Sequence, residues 1–240
     1  MAPDITSSFT KVDDLRAYLS QPKDGGSGGM LLLPMITGIG AQLREFADDI
    51  ARAGVTALSW DPWHGVSSDD TPRERLRELL RKLDDETCLS EMSRLLDHMT
   101  GELGLEKVGV IGWCMGGRFA LLLAGRDQRV CNVVAYHPTV PIPPAPNHTL
   151  DTAEYAARIT APVMMLYPEQ DSIVPWESFT RLQTALQSRS TGASIVHVYP
   201  GAEHGFSERS RHDNKVNADA YALSWPQVLQ FIRTTTNSAS

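Results

Sequence analysis

A cysteine framed by glycines, Gly112-Trp113-Cys114-Met115-Gly116-Gly117, follows directly on the apolar run Val108-Gly109-Val110-Ile111. A strand, a tight turn and then a helix form the arrangement that lifts one nucleophilic side chain clear of a sheet edge. Glycine is needed on either side, because so sharp a bend leaves no room for a Cβ. Cys114 then heads a helix, where unpaired backbone N–H groups and the positive helix end lower a thiol pKa and populate the thiolate near neutral pH. Cys88 and Cys131 lie in apolar stretches without glycine flanks and read as packing thiols.

Two partners for that sulfur stand further along the chain. Asp171 follows the apolar run Val163–Tyr167 in the loop Pro168-Glu169-Gln170-Asp171, and His204 sits in Gly201-Ala202-Glu203-His204-Gly205-Phe206, just past the run ending at Tyr199. Nucleophile, acid and then histidine is a chain order that places all three at one edge of an α/β sheet, where sulfur passes its proton to imidazole and attacks a carbonyl. Taken singly, a loop aspartate caps a helix and a loop histidine is solvated; taken together they favour a Cys114, Asp171, His204 triad. Glu169 is the fallback acid, whereas Glu203 adjoins the histidine in sequence and is poorly placed to reach its ring. Trp63, His64, Tyr136 and His137 also follow strand ends, so they are candidates for lining a substrate pocket, with core or rim packing as the alternative. His64, His98, His137, His148, His197 and His212 show no ligand spacing, so neither a metal nor a cofactor is expected.

The elements that must position these residues alternate. Residues 9–20 predict two short strands around Asp13-Asp14, and the Gly25–Gly29 run predicts a loop. Met30–Leu33 predicts a strand buried on both faces. Leu43, Phe46, Ala47 and Ile50 mark an amphipathic helix stopped by Gly54, and Val55–Trp60 predicts the next strand. Helices are expected over 72–86 and 89–99, then strands at Lys107–Gly112 and Val130–Tyr136, and a proline-rich rim or lid loop at His137–Asn147. Strands at Pro162–Tyr167 and Ser194–Tyr199 follow, with helices at 176–188 and 218–233. The pattern calls for an α/β fold, a mostly parallel sheet with helices on both faces, whose ligands collect beyond the carboxyl ends of the strands.

Composition narrows the class. The 240 residues, 42% hydrophobic and 21% charged, predict one domain over 1–240 with an adequate core. A formal net charge of −7 disfavours nucleic acid and anionic membranes, leaving a small molecule as the expected partner. The start Met1-Ala2-Pro3-Asp4 lacks a basic and apolar leader pattern, no apolar stretch approaches membrane-spanning length, and three cysteines form no C-x-x-C pair; a cytoplasmic protein, monomer or homodimer, is expected.

From Met30 to the C-terminal helix the sequence resembles the dienelactone hydrolase family of the α/β-hydrolase superfamily. The resemblance rests on Gly112-Trp113-Cys114-Met115-Gly116-Gly117, Glu169-Gln170-Asp171-Ser172-Ile173-Val174-Pro175 and Gly201-Ala202-Glu203-His204-Gly205-Phe206. It implies a compact fold without a large cap domain. It also implies hydrolysis of small lactones or activated esters through a thioester on Cys114, with His204 as general acid and base and Asp171 orienting it. The backbone N–H groups of Ile36 and Met115 are implied as the oxyanion hole. A general carboxylesterase or thioesterase, and a non-catalytic ligand-binding relative, are the alternatives. Members commonly carry a glutamate after the first long strand that contacts the resting thiol; Met35 stands there in this chain, so Cys114 is expected to face His204 directly as a thiolate–imidazolium pair. The family's arginine shortly after the histidine is matched, one residue offset, by Arg209, with Arg73, Arg75 and Arg77 as further cations.

Overall fold

Strand-forming runs that are apolar at every position need cover on both faces, and the chain provides it with one eight-stranded sheet between two helical layers. The computed structural model describes residues 3–236. Its elements are β1 (Ile5–Val12), β2 (Leu15–Pro22), β3 (Gly28–Leu33), α1 (Ala41–Arg52), β4 (Thr56–Trp60), α2 (Arg73–Leu80), α3 (Asp85–Gly101) and β5 (Lys107–Trp113). There follow α4 (Met115–Arg126), β6 (Val130–Tyr136), α5 (Thr152–Ala156), β7 (Val163–Gln170), α6 (Trp176–Gln187), β8 (Ser194–Glu203) and α7 (Lys215–Thr236). The strands lie in the order β1-β2-β4-β3-β5-β6-β7-β8; β1 and β2 form an antiparallel hairpin set antiparallel to β4, and every pair from β4 to β8 is parallel.

Alternate residues of a strand point to opposite faces, and the core divides accordingly. Leu31 and Leu33 pack with α3, α4 and α6, while Met30 and Leu32 pack with α1 and α7. No helix among the described residues is long and apolar enough to cross a membrane.

Several boundaries differ from the periodicity reading. The hairpin strands extend to 5–12 and 15–22 around a turn in which Asp13 takes φ 54°. Strands β7 and β8 run on to Gln170 and Glu203, because they stay paired across an irregular register after Pro168. The helix expected over 72–86 stops at Leu80, and α3 starts at Asp85 because the Asp84 carboxylate accepts the Thr87 amide. Helix α5 interrupts the approach to β7, capped by Asp151 accepting the Ala153 and Glu154 amides.

One buried ion pair fastens the loop after β6. Arg118 of α4 and Asp85 of α3, 2% and 1% exposed, form a bidentate pair at 2.6 and 2.7 Å. The same carboxylate accepts the Thr149 and Leu150 amides, so loop, α3 and α4 meet on one charge.

Candidate active site

Strand β5 ends at Trp113 and α4 begins at Met115, leaving Cys114 between them at φ 55°, ψ −117°. A non-glycine residue there is strained by about 1–3 kcal/mol, so its neighbours must hold it. The Cys114 N–H donates to the Tyr136 carbonyl at 3.0 Å, and its own carbonyl accepts the Arg118 and Thr139 amides at 3.2 and 3.0 Å. The flanking glycines are sterically required: a Cβ on Gly112 would lie 2.0 Å from the Gly116 carbonyl oxygen, and one on Gly116 would lie 2.0 Å from that of Leu33. The first turn of α4 therefore rests on the chain leaving β3.

The other two residues arrive from the ends of β7 and β8. Asp171 Oδ1 accepts the Ile173 and Val174 amides at 2.8 and 2.9 Å, a turn that aims Oδ2 at the histidine. His204 Nδ1 lies 2.8 Å from Oδ2, with the two side chains 5% and 1% exposed. With Nδ1–H donating to the carboxylate, Nε2 is left towards the half-buried Cys114 sulfur, the Thr139 hydroxyl lying 3.4 Å from the one and 3.1 Å from the other. The competing acids point elsewhere. Glu169 is exposed and accepts the Gly201 amide, and Glu203 accepts from Asn217.

Electrostatics separates the three thiols. Burial pushes Cys88 up to about 12 and Cys131 up to about 11. Burial acts on Cys114 in the same sense, but the His204 charge, hydrogen bonds from His204 and Thr139 and the Met115 amide outweigh it and bring this thiol below its ordinary value. For His204 burial opposes protonation, while the Cys114 charge and the Asp171 hydrogen bond raise its pKa above the ordinary imidazole range. The two groups thus shift each other in the sense that favours the charged form of each.

The remaining sequence candidates are distributed unevenly. Met115 begins α4, where its amide helps to lower the Cys114 pKa, and the Ile36 carbonyl accepts the Trp63 indole N–H at 2.9 Å, which fixes the peptide after Ile36. Met35 is buried against α1, and Trp63 packs with Ile36, Leu76 and Met115. Tyr136 and His137 do not line a pocket: both are fully buried, because β6 is an interior strand covered on both faces. Tyr136 donates to Ser224 in α7; His137 is hydrogen-bonded to Ser207 at 2.9 Å and sets its ring 4.9 Å from that of His204. Burial, then the His204 charge, hold His137 neutral. His64 is exposed with its Nε2 3.5 Å from Glu91, and Arg209 is exposed and paired with Glu45 of α1. Arg75 and Arg77 pair with Glu78 and Glu74 on the surface of α2.

Thr139 escaped the sequence reading. Its hydroxyl donates to Cys114 Sγ at 3.1 Å and lies 3.4 Å from His204 Nε2. The register gave only the neighbourhood: β6 runs parallel beside β5 with Tyr136 opposite Trp113, which brings the start of the loop after Tyr136 towards Cys114.

The family model of the dienelactone hydrolase family matches residues 15–236. The chain belongs to that family. Among dienelactone hydrolase relatives, the carboxymethylenebutenolidase of Rhodococcus opacus is 28% identical over 229 residues, covering 95% of this chain and 89% of that one. A Salmonella typhi protein provisionally named a carboxymethylenebutenolidase is 28% identical over 210 residues, covering 85% and 77%. A Klebsiella pneumoniae structure provisionally described as a dienelactone hydrolase superposes with a TM-score of 0.83 at 22% identity, covering 95% and 98%, and establishes the shared α/β-hydrolase fold. Like its family, the chain is a hydrolase of the ester and lactone class.

Proposed function

We propose that this hydrolase cleaves small lactones or activated carboxylic esters through a thioester on Cys114, with His204 and Asp171 completing a triad. The observation that carries the reading is that the Asp171–His204 pair and the Cys114 sulfur at a helix N-terminus converge on one hydroxyl, Thr139 Oγ1, 3.4 Å from Nε2 and 3.1 Å from Sγ. The thiolate attacks the carbonyl carbon, and the oxyanion that forms is received by the Met115 and Ile36 amides. His204 Nε2–H then protonates the departing alkoxide, leaving a neutral ring and a thioester. Water attacks next, giving its proton to Nε2; the C–S bond breaks with its electron pair on sulfur, and the thiolate–imidazolium pair is restored.

Two features support a neutral substrate over an anionic one. Arg209 is engaged by Glu45, and Met35 removes the carboxylate that relatives of this type place beside the thiol, so no substrate-borne charge is needed to displace it. Pairing with His204 makes the sulfur reactive before substrate binds.

Intact-protein mass spectrometry after acid quench tests the reading on a panel of small lactones and aryl esters. Wild type is expected to gain the full mass of a lactone, which has no separate leaving group, or the acyl portion of an ester. Cys114→Ala is expected to gain nothing and to lose turnover. An adduct of equal yield on Cys114→Ala, or undiminished turnover by it, would refute the cysteine nucleophile. Faster turnover of the lactones than of the open-chain esters assigns the lactone preference, and the reverse assigns a general carboxylesterase.

A further inference from the structure

The sulfur at the elbow has a neutral neighbour as well as a charged one. Thr139 follows β6 and is fixed by its own amide, which donates to the Cys114 carbonyl at 3.0 Å, so its side chain has little freedom to leave the site. From that anchor the hydroxyl reaches Sγ at 3.1 Å and Nε2 of His204 at 3.4 Å. The flanking Pro138 limits the backbone further. Loop, α3 and α4 are in turn tied together by the buried Arg118–Asp85 pair.

We infer that Thr139 is a catalytic residue of this site, its hydroxyl hydrogen-bonding to the Cys114 thiolate in the resting enzyme and again to the sulfur as it departs from the thioester, without giving up its proton. The inference rests on the cysteine nucleophile proposed above. Hydrogen bonds to an anion are about twice as strong as neutral ones, so the hydroxyl favours the thiolate over both the thiol and the thioester sulfur. In acylation the sulfur electron pair forms the C–S bond, and the hydroxyl keeps its own proton while losing its anionic acceptor. In deacylation that pair returns to sulfur, water's proton resides on Nε2, and the Thr139 O–H and Nε2–H both donate to the thiolate being released. Threonine thereby supplies a neutral donor to the sulfur from the loop after β6.

The groups that face the sulfur from the surrounding elements are few. His204 comes with Asp171 from the ends of β8 and β7, neutral His137 stands behind His204 just past β6, and α4 contributes the Met115 amide. The hydroxyl is thus a separable contributor.

The rate of iodoacetamide alkylation at Cys114, followed by peptide mass spectrometry against pH, tests the inference. In wild type the rate is expected to hold at pH values below the ordinary thiol range, because a lowered pKa keeps the thiolate present until pH falls through it. Thr139→Val preserves shape and removes the donor; its midpoint is expected to move up by about one pH unit, and its acid-quenched thioester to persist roughly tenfold longer. Thr139→Ser is expected to return both readouts to wild type, and Thr139→Ala to repeat the valine result if valine perturbs the fold. A wild-type midpoint and thioester lifetime in folded Thr139→Val or Thr139→Ala would overturn the role of Thr139 and leave the nucleophile standing. Wild-type protein in which Cys114 is not the alkylated thiol would remove the nucleophile, and Thr139 with it.

Discussion

His204→Ala is expected to lower kcat/KM on a small lactone or aryl ester by at least about 10³-fold, since general acid–base catalysis alone supplies up to roughly 10⁴-fold. The ring has three duties in the proposed cycle: it is the cation beside the thiolate, the acid for the alkoxide and the base for water. Without it the thiol must ionise in a half-buried site with only Thr139 and the Met115 amide to assist. Residual activity should therefore rise with pH beyond the range in which wild type has levelled off, since the sulfur now gains its charge only as pH passes a higher thiol pKa. Steady-state kinetics across pH decide the matter. A variant that kept about a tenth or more of wild-type kcat/KM would place the imidazole outside the chemistry.

Gly116→Ala is expected to destabilise the fold by about 3 kcal/mol or more, at the upper end of what overpacking costs. The added Cβ would meet the Leu33 carbonyl oxygen at 2.0 Å, its carbon at 2.5 Å and the Pro34 oxygen at 2.6 Å, all of them backbone atoms that cannot rotate away. Helix α4 would have to move off β3, carrying the Met115 amide away from the sulfur. Gly101→Ala is the control, because a Cβ there meets nothing within 4 Å; it should shift stability by no more than about 0.5 kcal/mol. Urea unfolding measures both. Equal midpoints for the two variants would show that the elbow has slack that the close approach of α4 to β3 denies.

The parts of this site that could be read from sequence are those whose position follows from local rules. Gly112, Cys114 and Gly116 specify a bend by sterics alone, and Asp171 and His204 each lie a few residues past a strand of a parallel sheet, which fixes the edge they occupy. Tyr136 and His137 obeyed the same rule yet proved inaccessible. Whether a strand-end residue opens to solvent depends on which strands flank it, and β6 lies between β5 and β7 beneath α4 and α7. Arg209 has a partner that the sequence does not show. Its neighbour Glu45, far away in sequence, takes its charge, and long-range pairing of that kind leaves no periodic trace. Thr139 was hidden because its value lies in a single hydroxyl direction set by a proline-bounded loop. Helix limits moved wherever a side-chain cap intervened, as Asp84 did ahead of α3.

The positive φ at Cys114 carries one last implication. At this one position the polypeptide would be more comfortable with glycine, which adopts such angles without steric cost, so folding and chemistry make opposite demands on the same residue. A lineage relieved of the need for turnover would gain robustness by discarding the sulfur. A thiol in that cramped backbone accords with the role proposed for Cys114, because the turn on its own would favour glycine.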